Sequence, residues 1–141
     1  DNYKLDTTEI SMRTFANADL LSYQKRYEEA ILTYDSILIT FPGHSLSDEI
    51  YMRKAAIYFN NGEISNALAN YEKIEENWGY DILADDALYK QAKIYDDILG
   101  DFELAMKLYK KILSEHNSSI YVSESRKRFR DLRGDNFKKE E

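Results

Sequence analysis

The chain has 141 residues, of which 43% are apolar and 32% charged, and its formal net charge is −7. This composition argues against a disordered chain and a loop-rich β fold, and the acidic excess argues against general nucleic-acid binding. Cysteine is absent, which excludes disulfides, thiolate metal ligands and cysteine nucleophiles.

Apolar residues at steps of three and four predict seven amphipathic helices. In chain order they cover about residues 6–23, 27–41, 48–60, 64–78, 82–99, 102–113 and 120–133. Pro42-Gly43 ends the second helix, and glycine at Gly62 suits the turn before the fourth because it adopts positive φ without a Cβ clash.

Several helix ends carry recognisable capping residues. Asp6 with Glu9 forms a capping box that predicts the start of the first helix. Ser45 or Ser47 is expected to cap the third helix, and Asn117-Ser118-Ser119 the seventh. Gly134 is expected to close the seventh helix.

An alanine, a tyrosine and an isoleucine recur in the second, fourth and sixth helices. Their periods of 37 and 38 residues predict an array of stacked helix pairs. The small alanine lets the two helices of a pair approach, while the tyrosine and isoleucine fill the groove to the next pair. The three sets are Ala30-Tyr34-Ile37, Ala67-Tyr71-Ile74 and Ala105-Tyr109-Ile112.

These positions resemble the tetratricopeptide repeat family. The family's small first-helix residue matches Ala18, Ala55 and Ala92, its turn glycine Gly62 and Gly100, and its terminal proline Pro42. The chain departs from the family pattern at Lys25, Gly79 and Asn117, and by one extra residue between Tyr95 and Ala105. The resemblance implies an all-α, right-handed α-solenoid of three helix-turn-helix repeats with a C-terminal capping helix.

The resemblance also implies boundaries. We expect a single domain over 1–134, with repeats at about 8–44, 45–80 and 81–117, a capping helix at about 119–133 and a flexible tail at 135–141. The long period and the connector Pro42–Ser45 resemble a subgroup of Gram-negative cell-envelope proteins, of the β-barrel assembly lipoprotein and Tol–Pal coordinator type, which favours a periplasmic or envelope location. Because the sequence begins at Asp1 rather than Met, we expect a processed form or a piece of a longer protein.

The aromatic residues divide into two groups. Six tyrosines at repeat positions are expected to pack between helices, namely Tyr34, Tyr51, Tyr58, Tyr71, Tyr95 and Tyr109. The resemblance assigns a concave, partner-binding face to Phe15, Asp19, Tyr23, Met52, Phe59, Asn60, Tyr89, Lys93 and Asp97. For Tyr23, Phe59 and Tyr89, partner binding and partial burial both remain open.

No residue pattern indicates catalysis. His44 and His116 lack further ligands at metal-binding spacing, and the pairs Asp85-Asp86 and Asp96-Asp97 lack the pattern of a calcium loop. We interpret these acids as helix-end and surface residues. No nucleotide-binding or nucleophile motif occurs, so we expect no enzymatic activity, no metal and no cofactor.

The charge is divided unevenly. Residues 1–117 carry 12 basic and 21 acidic side chains, whereas residues 118–141 carry seven and five. The basic cluster, Arg126, Lys127, Arg128, Arg130 and Arg133, is either a solvated face of the capping helix or a patch that docks on an acidic surface.

Two hypotheses for the function of the chain remain open. The first is a protein–protein interaction module that holds a peptide or helix of a partner protein in the concave groove. The second is a structural spacer or self-association element with an unoccupied groove. No apolar run reaches the roughly 20 residues of a membrane-spanning helix, so we expect no direct membrane insertion. Because the chain is acidic, we also expect no nucleic-acid partner.

Overall fold

A computed structural model describes residues 2–78 and 82–134, and all regular structure in these ranges is helical. The helices are α1 (Asn2–Tyr23), α2 (Tyr27–Thr40), α3 (Ser47–Asn60), α4 (Ile64–Trp78), α5 (Ile82–Ile94), α6 (Phe102–Glu115) and α7 (Val122–Arg133). A π-helical turn at Tyr95–Leu99 follows α5. The all-α class and the succession of helix pairs expected of an α-solenoid are confirmed; the right-handed superhelix stays a prediction.

The chain forms two compact units, residues 1–67 and 68–141. In the first, buried residues of α1, α2 and α3 form a core around Tyr34, which packs with Ala18, Ala30, Ile37 and Ile50. In the second, Ala92, Ala105 and Tyr109 form a core against which aromatic residues of α5 and α7 pack. None of the described helices is both long and apolar enough to cross a membrane.

The repeat positions form the buried interior, as predicted. All three Ala–Tyr–Ile sets and the three first-helix alanines are at most 4% exposed. The remaining repeat tyrosines, Tyr51, Tyr58 and Tyr95, are half-buried. Replacing a fully buried isoleucine of this kind by alanine costs about 2–5 kcal/mol, so these positions dominate the stability of the helix pairs.

The predicted caps of the first and third helices are wrong. Helix α1 begins at Asn2 and contains Asp6, so Asp6 is not its N-cap. Leu46 precedes α3 without a side-chain cap, and the Ser47 hydroxyl is buried without a hydrogen-bond partner. Instead, the Leu46 N–H donates to His44 Nδ1 at 3.1 Å, so the turn is held by a histidine that the sequence did not mark as a cap.

The predicted cap of the seventh helix is also wrong. Helix α7 begins at Val122 after Tyr121 and has no side-chain cap, so Asn117-Ser118-Ser119 do not cap it. In the preceding turn the Tyr121 N–H donates to Ser119 Oγ at 3.1 Å. Gly134 closes α7 with a φ of 95°, as predicted. Gly79 and the predicted tail at 135–141 lie outside the described residues.

Lys25 occupies the turn position at which the later repeats have glycine, and its φ is 64°. This left-handed conformation costs a residue with a Cβ about 1 kcal/mol or more. We therefore expect Lys25→Gly to raise the free energy of unfolding by about 0.5–1 kcal/mol, since the larger entropy of unfolded glycine offsets part of the gain. Urea unfolding measures it. Gly62→Ala, at a φ of 78°, is the control and should lower stability; a Lys25→Gly variant less stable than the parent would contradict the prediction.

The π turn explains the extra residue of the third repeat. Its five residues, Tyr95–Leu99, carry the additional residue inside the helix, and the Asp101 N–H closes the turn on the Tyr95 carbonyl at 2.9 Å. Gly100 then adopts a φ of 65° and Asp101 caps α6 by accepting from the Leu104 N–H at 3.2 Å. Single-turn π segments of this kind occur mostly within α-helices.

Candidate partner-binding surfaces

In the first unit, α1 and α3 bring Phe15 and Asp19 together with Arg53, a residue that the sequence analysis missed. The Arg53 guanidinium lies 5.6 Å from the Phe15 ring centroid, and its Nε donates to Asp19 Oδ1 at 3.2 Å. Its Nη2 also lies 3.8 Å from Glu49. Arg53 follows Met52 directly, so its place beside a predicted surface residue was the available signal.

The Asp19 carboxylate also contacts a core residue. The Tyr34 hydroxyl donates to Asp19, and the Tyr34 ring meets Phe15 edge-on at 5.8 Å. Burial, together with the bond to Asp19, raises the pKa of Tyr34 well above its usual range, so the hydroxyl remains a donor at neutral pH. Phe15 and Asp19 are therefore held in fixed positions by the fold.

The remaining residues of this unit are more accessible. Tyr23 is 86% exposed and Phe59 39% exposed, while Asn60 is exposed and Met52 half-buried. Tyr23 and Phe59 are thus accessible aromatic residues in the last turns of α1 and α3. Since the rigid Phe15–Asp19–Arg53 cluster lies on the same two helices, this unit offers aromatic contact area and charge that partner chains commonly use.

In the second unit, Tyr89 belongs to internal packing. Its ring stacks on Tyr121 with centroids 4.2 Å apart and tilts against Tyr109 at 6.3 Å. Burial raises the pKa of Tyr89, consistent with its half-buried ring. Lys93 and Asp97 pair with each other along the helix at 2.9 Å. A pair of this kind on a helix surface contributes little to stability, so both groups are accessible for other contacts.

The predicted basic patch requires a correction at Arg128. Its Nε and Nη2 donate to both carboxylate oxygens of Asp96 at 2.8 and 2.9 Å, and Nη1 lies 3.5 Å from Asp131. The Arg128 guanidinium is thus engaged in contacts within the second unit. Arg126, Lys127 and Arg130 are exposed, as a patch requires.

The interpretation of Asp96 as a surface acid is also wrong, because its side chain is only 2% exposed. Burial alone would raise its pKa, but the hydrogen bonds from Arg128 and from the Tyr109 hydroxyl, with the Arg128 charge, hold the pKa below its usual value. Tyr109 donates at 2.9 Å. The carboxylate therefore joins the π turn, α6 and α7 in one buried network.

A second acid, Asp86, links α5 to the turn before α7. The Tyr121 hydroxyl donates to Asp86, and this bond, followed by burial, raises the pKa of Tyr121 to about 12. Among the residues that the structure describes, no three histidine, aspartate or glutamate side chains are grouped so as to hold a metal ion. Asp86 and Asp96 thus each accept a hydrogen bond from a tyrosine hydroxyl of the second unit.

Two stretches of the chain match models of the tetratricopeptide repeat, residues 48–76 and residues 86–119. The first covers α3 with most of α4, and the second runs from within α5 through α6 to the turn before α7. A comparison with curated proteins gave no significant match. The two matches and the buried alanine–tyrosine–isoleucine sets support the tetratricopeptide repeat family for this chain. Repeats of that family generally mediate protein–protein interaction.

Proposed function

We propose that the chain is a non-enzymatic interaction module that binds a peptide or helix of a partner protein in the concave groove implied by its repeats. The observation that carries the proposal is the pair of accessible rings, Tyr23 and Phe59, on the first helices of two repeats. Large exposed aromatic residues are costly to leave in water and dominate the energy of many interfaces.

The charges and apolar side chains of this surface limit the class of ligand that it can bind. Arg53 is flanked by the carboxylates of Asp19 and Glu49, so this surface has no uncompensated cation for an acidic C-terminal peptide. Met52, with its flexible thioether, adapts to apolar side chains. We infer an apolar segment as the ligand, extended or helical, with few charges at the centre of the contact.

The test begins with peptides selected from a displayed random library on the whole chain, since the partner is unidentified. Tyr23→Ala and Phe59→Ala are each expected to weaken binding of the selected peptides by about tenfold or more, because each removes an aromatic anchor. Calorimetry or fluorescence anisotropy gives the dissociation constants.

Ile39→Ala is the matched control, because Ile39 is 79% exposed on α2 of the same unit. It should leave binding unchanged, and circular dichroism should confirm that all three variants fold. If the double variant Tyr23→Ala/Phe59→Ala binds the peptides as tightly as the parent, the groove proposal is wrong.

The alternative function, a spacer or self-association element, has an observation of its own. Met12 and Leu20 of α1 are more than half exposed, and Ala16 lies between them at helical spacing. Such a stripe suits contact with another helix. Sedimentation over a concentration and salt series discriminates the two functions: a species that stays monomeric at all salts contradicts self-association. A location in the cell envelope, suggested by the long repeat period, belongs to the proposal as well.

A further inference from the structure

A shallow groove lies between α6 and α7, within the second unit. Its volume is about 600 Å³, and it opens beside the first turns of α6 and the middle of α7. Leu104, Met106 and Phe129 supply its apolar part. Leu104 is 38% exposed and the other two are half-buried, so the groove presents apolar surface to solvent.

Two lysines lie on the rim of the groove. Lys107 and Lys110 line it, both are exposed, and in the described parts of the chain neither forms an ion pair. The Arg133 guanidinium lies over the Phe129 ring, 5.2 Å from its centroid.

The groove also has an acidic end, where α6 begins. Asp101 and Glu103 lie there, and the Asp101 carboxylate is engaged in capping α6. Two carboxylates in the same groove disfavour a phosphate backbone or an anionic bilayer as the ligand, since both demand a uniformly basic face. They favour a ligand with charges at defined positions.

We propose that this groove binds an acidic amphipathic helix of a protein partner. The apolar stripe of such a helix would cover Leu104, Met106 and Phe129, and its acidic side chains would pair with Lys107 and Lys110. These two lysines are three residues apart, so they lie on neighbouring positions of one helix face and can contact carboxylates one turn apart on the ligand. The inference is independent of the proposed function, because it concerns other helices.

The probe is a synthetic amphipathic helix with leucines on one face and glutamates on the other, labelled for fluorescence anisotropy with the whole chain. We expect Lys107→Glu/Lys110→Glu to weaken binding by about tenfold or more, because two attractive contacts become repulsive. Binding should also weaken with rising salt. Leu104→Asp should give a comparable loss, since it places a charge in the apolar contact.

Lys73→Glu/Lys90→Glu is the control, because both lysines are exposed elsewhere in the second unit and the charge change is identical. It should retain tight binding, as should Tyr23→Ala/Phe59→Ala. Three results would overturn the proposal: an equal loss in the control, equal binding of a scrambled peptide of the same charge, or preferential binding of single-stranded DNA or anionic vesicles. An equal loss in the control or equal binding of the scrambled peptide would show that binding depends only on net charge. Preferential binding of DNA or vesicles would show that the groove binds another class of ligand.

Discussion

Replacing Arg128 by methionine is expected to lower the free energy of unfolding by about 2–3 kcal/mol at neutral pH. The change removes both hydrogen bonds that the guanidinium donates to Asp96. The carboxylate, only 2% exposed, then keeps the Tyr109 hydroxyl as its one donor among the residues that the structure describes. Removing one partner of a buried ion pair costs about 3–5 kcal/mol, and the partial exposure of Arg128 lowers that figure here. Urea unfolding at pH 7, followed by circular dichroism, measures the loss.

The pH dependence identifies the buried carboxylate as the cause. The pKa of Asp96 is held below its usual value in the folded chain, so its contribution is present above the unfolded pKa and is lost as the pH falls through the folded pKa. Without Arg128 the folded pKa rises, because burial then favours the protonated acid. The deficit of Arg128→Met should therefore shrink as the pH is lowered from about 7 towards about 4.

The control is Lys127→Met, which removes an exposed cation from the adjacent position of α7. It should change stability by less than about 0.5 kcal/mol. The double variant Asp96→Asn/Arg128→Met should recover part of the loss, because an amide is less costly to bury than an unpaired carboxylate. A deficit that is the same at both pH values would contradict the role of Asp96.

Tyr109→Phe is expected to lower the free energy of unfolding by about 1.5–2 kcal/mol, although the ring stays in place. The hydroxyl donates at 2.9 Å to a buried carboxylate, and hydrogen bonds to charged groups contribute about 1.5–3 kcal/mol. Thermal or urea unfolding of the variant measures the change.

Tyr71→Phe is a matched control within the same chain, because Tyr71 holds the same repeat position and is also buried, with 4% of its surface exposed. Burial, with the nearby charge of Asp86, raises the pKa of Tyr71 to about 12, yet no described residue accepts a hydrogen bond from its hydroxyl. Its removal should cost less than about 0.5 kcal/mol. Equal losses in the two variants would show that the bond to Asp96 contributes nothing beyond packing.

The fold was predictable where the sequence repeats. Alanine, tyrosine and isoleucine recur with a helical period, so the buried face of α2, α4 and α6 followed from spacing alone. The role of Gly134 was predictable from local geometry as well, since a helix end often needs a residue that tolerates positive φ. Both features depend only on residues that are close in the sequence.

Contacts between distant residues were not predictable in this way. Asp96 and Arg128 are 32 positions apart, and their pairing depends on how α7 returns to the π turn. The sequence showed an extra residue after Tyr95 but not whether a turn or a helix absorbs it. For the candidate site, Tyr23 and Phe59 are accessible on their helices, whereas Arg53 could be placed against Phe15 only in three dimensions.

The π turn also limits how freely the repeats of this chain can be exchanged. Repeat proteins are often built by copying one unit, on the assumption that each unit contacts its neighbours in the same way. A copy of the third repeat would carry Asp96 into every position, but only a following helix with an arginine equivalent to Arg128 can neutralise it. The third repeat and α7 must therefore be transferred as one module. The first repeat has a more exposed counterpart, because Asp19 accepts hydrogen bonds from Tyr34 and from Arg53 of the following helix.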